Sequence, residues 1–242
     1  MALSEELQSR LRDFFSFSKQ EISGLIVAVL ITGFIFSFRD WGVETLDFTL
    51  GLRNMFIVSF IAALSFFLRI SMQKIFALSE GYKTEFKVWW TGLIIAFIVA
   101  FVSEGRIPLV IIGASVSSFM VKQRLGEFRY GFSHSDNATI ALWGVLGSLI
   151  IATLFAVGLN FAPQSYFFSK GLLLNLLMAL CALIPLPQLE GLQIYFGSRL
   201  QYSLGIIAAF LAGILLITKT TWGLIITIVV GACIGIIFLL KK

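Results

Sequence analysis

Seven stretches of this chain contain no Asp, Glu, Lys, Arg or His: 22–38, 55–67, 88–102, 139–159, 171–184, 202–217 and 222–240. Uncharged runs of this length, repeated seven times, are the strongest constraint on what it can fold into. About 20 apolar residues cross a bilayer's hydrocarbon core as a helix. A water-soluble domain carries about 25% charged residues; here the figure is 13%. The expected fold class is therefore an all-α polytopic membrane protein with about six or seven transmembrane helices. Several runs are shorter than a perpendicular span, so polar ends or internal packing must complete them. The run at 55–67 reads on as helix to about Leu78.

One segment breaks the helical pattern. "RIPLVIIGASVSSFM" (106–120) is β-branched, opens near Pro108 and holds Gly113 and several serines. It reads as a small β or re-entrant element, which is tolerated at membrane depth only where protein covers it. Organisation follows as one integral membrane domain over 1–242. It comprises an amphipathic N-terminal segment at 1–21, N-terminal spans at 22–65, a core at 66–200 and a C-terminal helical hairpin at 201–242. In the first of these, Leu7, Leu11, Phe14, Phe15 and Phe17 recur at roughly helical spacing, and the mixed charges there exclude a cleavable signal peptide.

The net charge of +5 includes no basic run of five, so the lipid bilayer and not nucleic acid is the expected partner. On a seven-span topology the 18 Lys and Arg residues divide evenly between the two sides, which leaves orientation open. Cys181 and Cys233 sit in apolar runs and read as small buried hydrophobes.

Ionisable residues within apolar helices are candidates for function. The helix beyond Phe66 turns polar at Arg69, Gln73 and Lys74, and Arg69 and Gln73 share a face. The second place is "LIPLPQLEG" (183–191). Pro185 and Pro187 each lack an N–H and clash with the preceding turn, so the helix from 171 must end there and set Glu190 at a bend. From the residues alone, a membrane exit with snorkelling stems and a plain capped loop explain these features better than a functional site does.

Four stretches in order resemble the site-2 protease family of intramembrane zinc metalloproteases, in particular its compact archaeal-type members. "LIPLPQLEG", with Asn175 upstream, Glu190 at the acid position and Gly191 after it, is similar to the N-x-x-P-x-P-P-L-D-G stretch that supplies a third zinc ligand. "EGYKTEFKVW" (80–89) resembles the segment after the zinc helix, and "IPLVIIGASV" (107–116) resembles a strand before the central span. "IALWGVLGS" (140–148), with Gly144, resembles the A-G-P element. The resemblance covers about 66–199 and implies a site-2-protease-like core.

It also implies where the zinc motif H-E-x-x-H should lie: Arg69-Ile70-Ser71-Met72-Gln73. Arg69 and Gln73 replace the histidines, Ile70 the catalytic glutamate and Glu190 the aspartate; Val145 and Ser148 replace the proline and asparagine of the later element. No shift of register repairs this, because His134, expected in the polar loop "GFSHSDN", is the chain's one histidine. Arg stays protonated and cannot bind a metal, and Ile is no base. The expectation is a zinc site lost, no cofactor and no catalytic residue, with Arg69 and Glu190 forming an ion pair in its place.

The function expected is that of a catalytically inactive pseudoprotease in a prokaryotic cell membrane, binding or holding another membrane protein or transmembrane segment. Ile112 and Val116 are the candidate edge for pairing with an extended client. One alternative is a metalloprotease with an unusual ligand set drawn from Glu80, Glu85, Glu104 and Glu190. Another is a transporter or channel component lined by Arg69, Gln73, Asn175 and Glu190. Lesser signals are the sequon at Asn137–Thr139 and a G-x-x-x-G pair, Gly231 and Gly235.

Overall fold

The computed structural model of the protein describes residues 2–42, 46–119, 133–218, 220, 222–229 and 231. Cys233, Gly235 and part of the last apolar run lie outside these residues, as do six of the basic residues counted for orientation.

Among the described residues these helices and strands succeed one another: α1 (Ala2–Phe14), α2 (Lys19–Ser37), α3 (Phe48–Ser79), β1 (Tyr82–Val88), α4 (Trp90–Val102), β2 (Gly113–Phe119), α5 (His134–Phe161), α6 (Tyr166–Ala182), α7 (Glu190–Gly197) and α8 (Arg199–Ile217). Residues 222–229 are also helical. Polar residues just outside the apolar runs start the helices. Ser18 and Glu21 form a reciprocal capping box on α2, Asp47 accepts from two amides of α3, and Ser133 and Ser198 cap α5 and α8.

Among the described residues four helices, α2, α3, α5 and α8, are long and apolar enough to cross a membrane, and α4 and α6 are shorter apolar helices. Exposed Phe56, Phe60, Ile94, Leu154, Phe210 and Ile214 give the outside of the bundle an apolar surface suited to lipid. The protein is thus a mostly helical membrane protein with a small sheet. The main core joins α2, α3, α4, α5 and α6 around residues such as Ile61, Phe66, Ile70, Ile151 and Leu174. A smaller one packs Val145, Ala179, Leu183 and Ile194 between α5, α6, α7 and α8. The N-terminal helix lies against the end of α3, where the Arg10 guanidinium donates to the Leu78 carbonyl over 3.2 Å.

The sheet has two antiparallel strands among the described residues, with Tyr82 opposite Phe119 and Val88 opposite Gly113. β2 occupies the second half of the segment 106–120, the expected small β or re-entrant element. β1 is an element that the residue pattern did not announce, although Tyr82, Thr84 and Phe86 alternate with polar residues and all three are buried. His134 is not in a loop: once Ser133 accepts the Asp136 amide, it becomes the first residue of α5 and is exposed. The sequon at Asn137–Thr139 lies inside α5.

Candidate functional site

Ser65, Arg69 and Gln73 stand one turn apart on α3, and all three are buried. Such a stripe of polar groups inside an apolar bundle must find partners within the protein. Each does so on a different element. Ser65 Oγ accepts from Asn175 Nδ2 of α6 at 2.9 Å, and the same nitrogen donates to the Gly171 carbonyl at 2.8 Å. The Arg69 guanidinium donates to Glu190 Oε2 on α7 as a buried ion pair, with the two side chains 2% and 0% exposed. Gln73 Nε2 donates to the Ile140 carbonyl of α5 at 3.1 Å, while its Oε1 accepts from Ser115 Oγ of β2 at 2.7 Å.

The prolines build the bend that delivers Glu190. α6 stops at Ala182, and the Leu189 amide returns to the Leu186 carbonyl at 3.1 Å. Pro187 is second in that four-residue turn, and Gln188, third, has φ +66, the pattern of a type II turn. Glu190 then opens α7, where its negative charge suits a helix N-terminus. Two glycines permit the close packing. A Cβ on Gly191 would stand 2.3 Å from the Leu183 carbonyl oxygen and 2.6 Å from that of Ile184. A Cβ on Gly144 would lie 2.9 and 3.0 Å from the Glu190 carboxylate oxygens and 3.2 Å from Gln73 Cδ.

A second charged cluster braces the sheet from the other side. Lys74 Nζ reaches Glu21 Oε1 at 2.8 Å and the Ser16 carbonyl at 2.8 Å, and lies 4.5 Å over the Phe17 ring. Glu21 Oε1 also accepts the Phe86 amide of β1 at 2.6 Å. Lys74 is therefore a buried, partnered lysine and not a membrane exit.

Several sequence positions land elsewhere than expected. Ile112 is 2% exposed and belongs to the main core, and its carbonyl accepts the Trp89 amide, so it is no accessible edge. Val116 has an exposed side chain, but the pairing that sets Trp89 opposite Ile112 also turns the backbone of Val116 inward, toward Glu85. Outward-facing backbone on β2 belongs to the alternate residues, Ser115 and Ser117. Glu80 caps α3, Glu85 pairs with Lys83 at 3.2 Å, and Glu104 pairs with Arg106 at 3.4 Å. These carboxylates do not converge on Glu190. Of the aromatic residues around the site, Phe66 is core, Phe67 faces out, and Trp143 stacks on Phe76 with ring centres 4.8 Å apart. Ser115, Gln193 and Glu21 are contributors that sequence reasoning passed over. For Gln193 the available signal was its place three residues after Glu190, on the same helix face.

A catalytic zinc needs three neutral or anionic protein ligands and an open position for water. The side chains brought together here are Arg69, Ile70, Gln73 and Glu190, of which one is a permanent cation and one a hydrocarbon. They do not fit the metal. Among the described residues, no group of three or more His, Cys, Asp and Glu side chains could hold one. The arrangement can hold helices together and present hydrogen-bonding groups.

Fold and site together define an integral membrane protein whose motifs, in order, resemble those of intramembrane zinc metalloproteases. The chain is 29% identical over 182 residues, 73% of its own length and 84% of the relative's, to a protein of Methanocaldococcus jannaschii named "Putative zinc metalloprotease". No family model matches the chain, and no solved structure matches it.

Proposed function

We propose that this chain is a catalytically inactive, site-2-protease-like protein of a prokaryotic cell membrane that holds an extended segment of another membrane protein without cutting it. In this reading the shorter α4 and α6 and the helix at 222–229 join the four long helices to make six to seven crossings. The observation that carries the proposal is the Arg69–Glu190 ion pair at the place where the resemblance puts the metal. Hydrolysis of a peptide needs an activated water and a base, and Arg69, Ile70 and Gln73 supply neither. The binding half of the reading is supported by β2, whose outer edge carries backbone groups that no other strand takes up among the described residues.

A photo-cross-linking residue at Val116, in the full-length protein in its native membrane, tests the reading. The expected product maps to one apolar segment of one membrane protein, whereas the same probe at lipid-facing Leu204 gives none. Crosslinks to lipid alone, or equal yields from both positions, would overturn it. A second reading, an active metalloprotease, is favoured by the relative's name; tightly bound zinc in the purified protein would separate the two.

A further inference from the structure

The outer edge of β2 is not bare. Strand pairing alternates, so that in every second residue pair the N–H and C=O groups point away from the partner strand. Three contacts fix which pairs these are. The Trp89 amide donates to the Ile112 carbonyl, marking an inward pair. The Phe86 amide instead turns to Glu21, and the carbonyl of Ser115, which lies opposite Phe86, accepts from Gln193 Nε2 on α7. Each strand thus has an outward backbone group that is occupied by a side chain.

The two occupants differ. Glu21 holds Phe86 at 2.6 Å and is itself anchored by Lys74 and Ser18. Gln193 reaches Ser115 over a long 3.3 Å, and its own Oε1 is buried with no hydrogen-bond partner among the described residues. A carboxamide carries the same donor and acceptor as a peptide group. Held by one long bond and with its acceptor unmet, it is a weakly committed occupant.

We propose that Gln193 is a displaceable stand-in for a strand: its carboxamide covers the Ser115 carbonyl until the backbone N–H of an incoming extended segment takes the position. This rests on the binding role proposed above and names the residue that regulates it. Ser115 is suited to the exchange because its hydroxyl is held on the inner side by Gln73, so the strand stays in place while its edge changes partner. The Arg69–Glu190 pair sets the orientation of α7 and hence the aim of Gln193, three residues further along the same helix. The ion pair thereby serves the binding edge instead of chemistry.

The test uses the full-length protein in detergent micelles and a fluorescent eight-residue peptide of alternating valine and threonine. A version N-methylated throughout keeps the side chains but donates no backbone hydrogen bond. Gln193→Ala removes the occupant, and Gln193→Met removes its polar end while keeping its bulk, so that loss of packing is controlled. Both variants should bind the plain peptide about two- to tenfold more tightly than the natural protein, the range for one net hydrogen bond. The methylated peptide should show no such gain. If both variants bind the plain peptide as the natural protein does, and Val116 crosslinks to it in all three, the stand-in role is wrong and the binding role stands. If the peptide binds to none of the three, both fall.

Discussion

Arg69 and Glu190, 121 residues apart in the chain, meet as a hydrogen-bonded ion pair that is almost wholly shielded from solvent. They tie the middle of α3 to the first residue of α7. Burying two charges is costly, and their attraction offsets that cost only while both are present. The pair therefore acts as a fastening whose halves are useless alone.

Removing one half should accordingly be worse than removing both. Arg69→Met or Glu190→Leu alone is expected to destabilise the protein by about 3–5 kcal/mol, and the double variant should recover most of that loss. Thermal unfolding of the four proteins in detergent supplies the cycle. Additive losses would show that the two side chains do not interact.

The glycines around Glu190 should rank in a fixed order. The Cβ of Gly191→Ala would meet main-chain oxygens that cannot retreat, whereas that of Gly144→Ala meets the ends of Glu190 and Gln73. Overpacking of the second kind costs about 1–3 kcal/mol, and Gly191→Ala should exceed it. Melting temperatures of the two variants check the ranking.

Glu21 accepts from Lys74, from the Ser18 amide and from the Phe86 amide. Glu21→Ala leaves a buried lysine without its anion and should destabilise by about 3–5 kcal/mol. Glu21→Gln keeps an acceptor and should cost less. Hydrogen exchange in peptides covering β1 should quicken in Glu21→Ala; unchanged exchange there would contradict the brace.

Much of this was legible from the chain. Uncharged runs predicted the long helices because a bilayer permits little else, and Pro185 and Pro187 predicted the end of α6 because proline cannot continue a helix. The resemblance, which a similar relative supports, supplied the expectation that α3 and α7 would meet. What escaped was set by partners distant in sequence. β1 became visible only with β2 beside it, and the parity of β2, which turns the backbone groups of Ser115 outward and those of Val116 inward, depends on register and not on residue type. Lys74 looked like a helix leaving the membrane because Glu21, 53 residues earlier, could not be placed beside it. The run at 88–102 overstated α4, which begins only at Trp90 because Val88 belongs to β1.

The zinc content of the purified full-length protein bears most directly on the central claim, that an ion pair stands where a metal would be. The expected result is no stoichiometric zinc and a melting temperature that chelators leave unchanged. One tightly held zinc per chain, with chelators lowering the melting temperature, would contradict it.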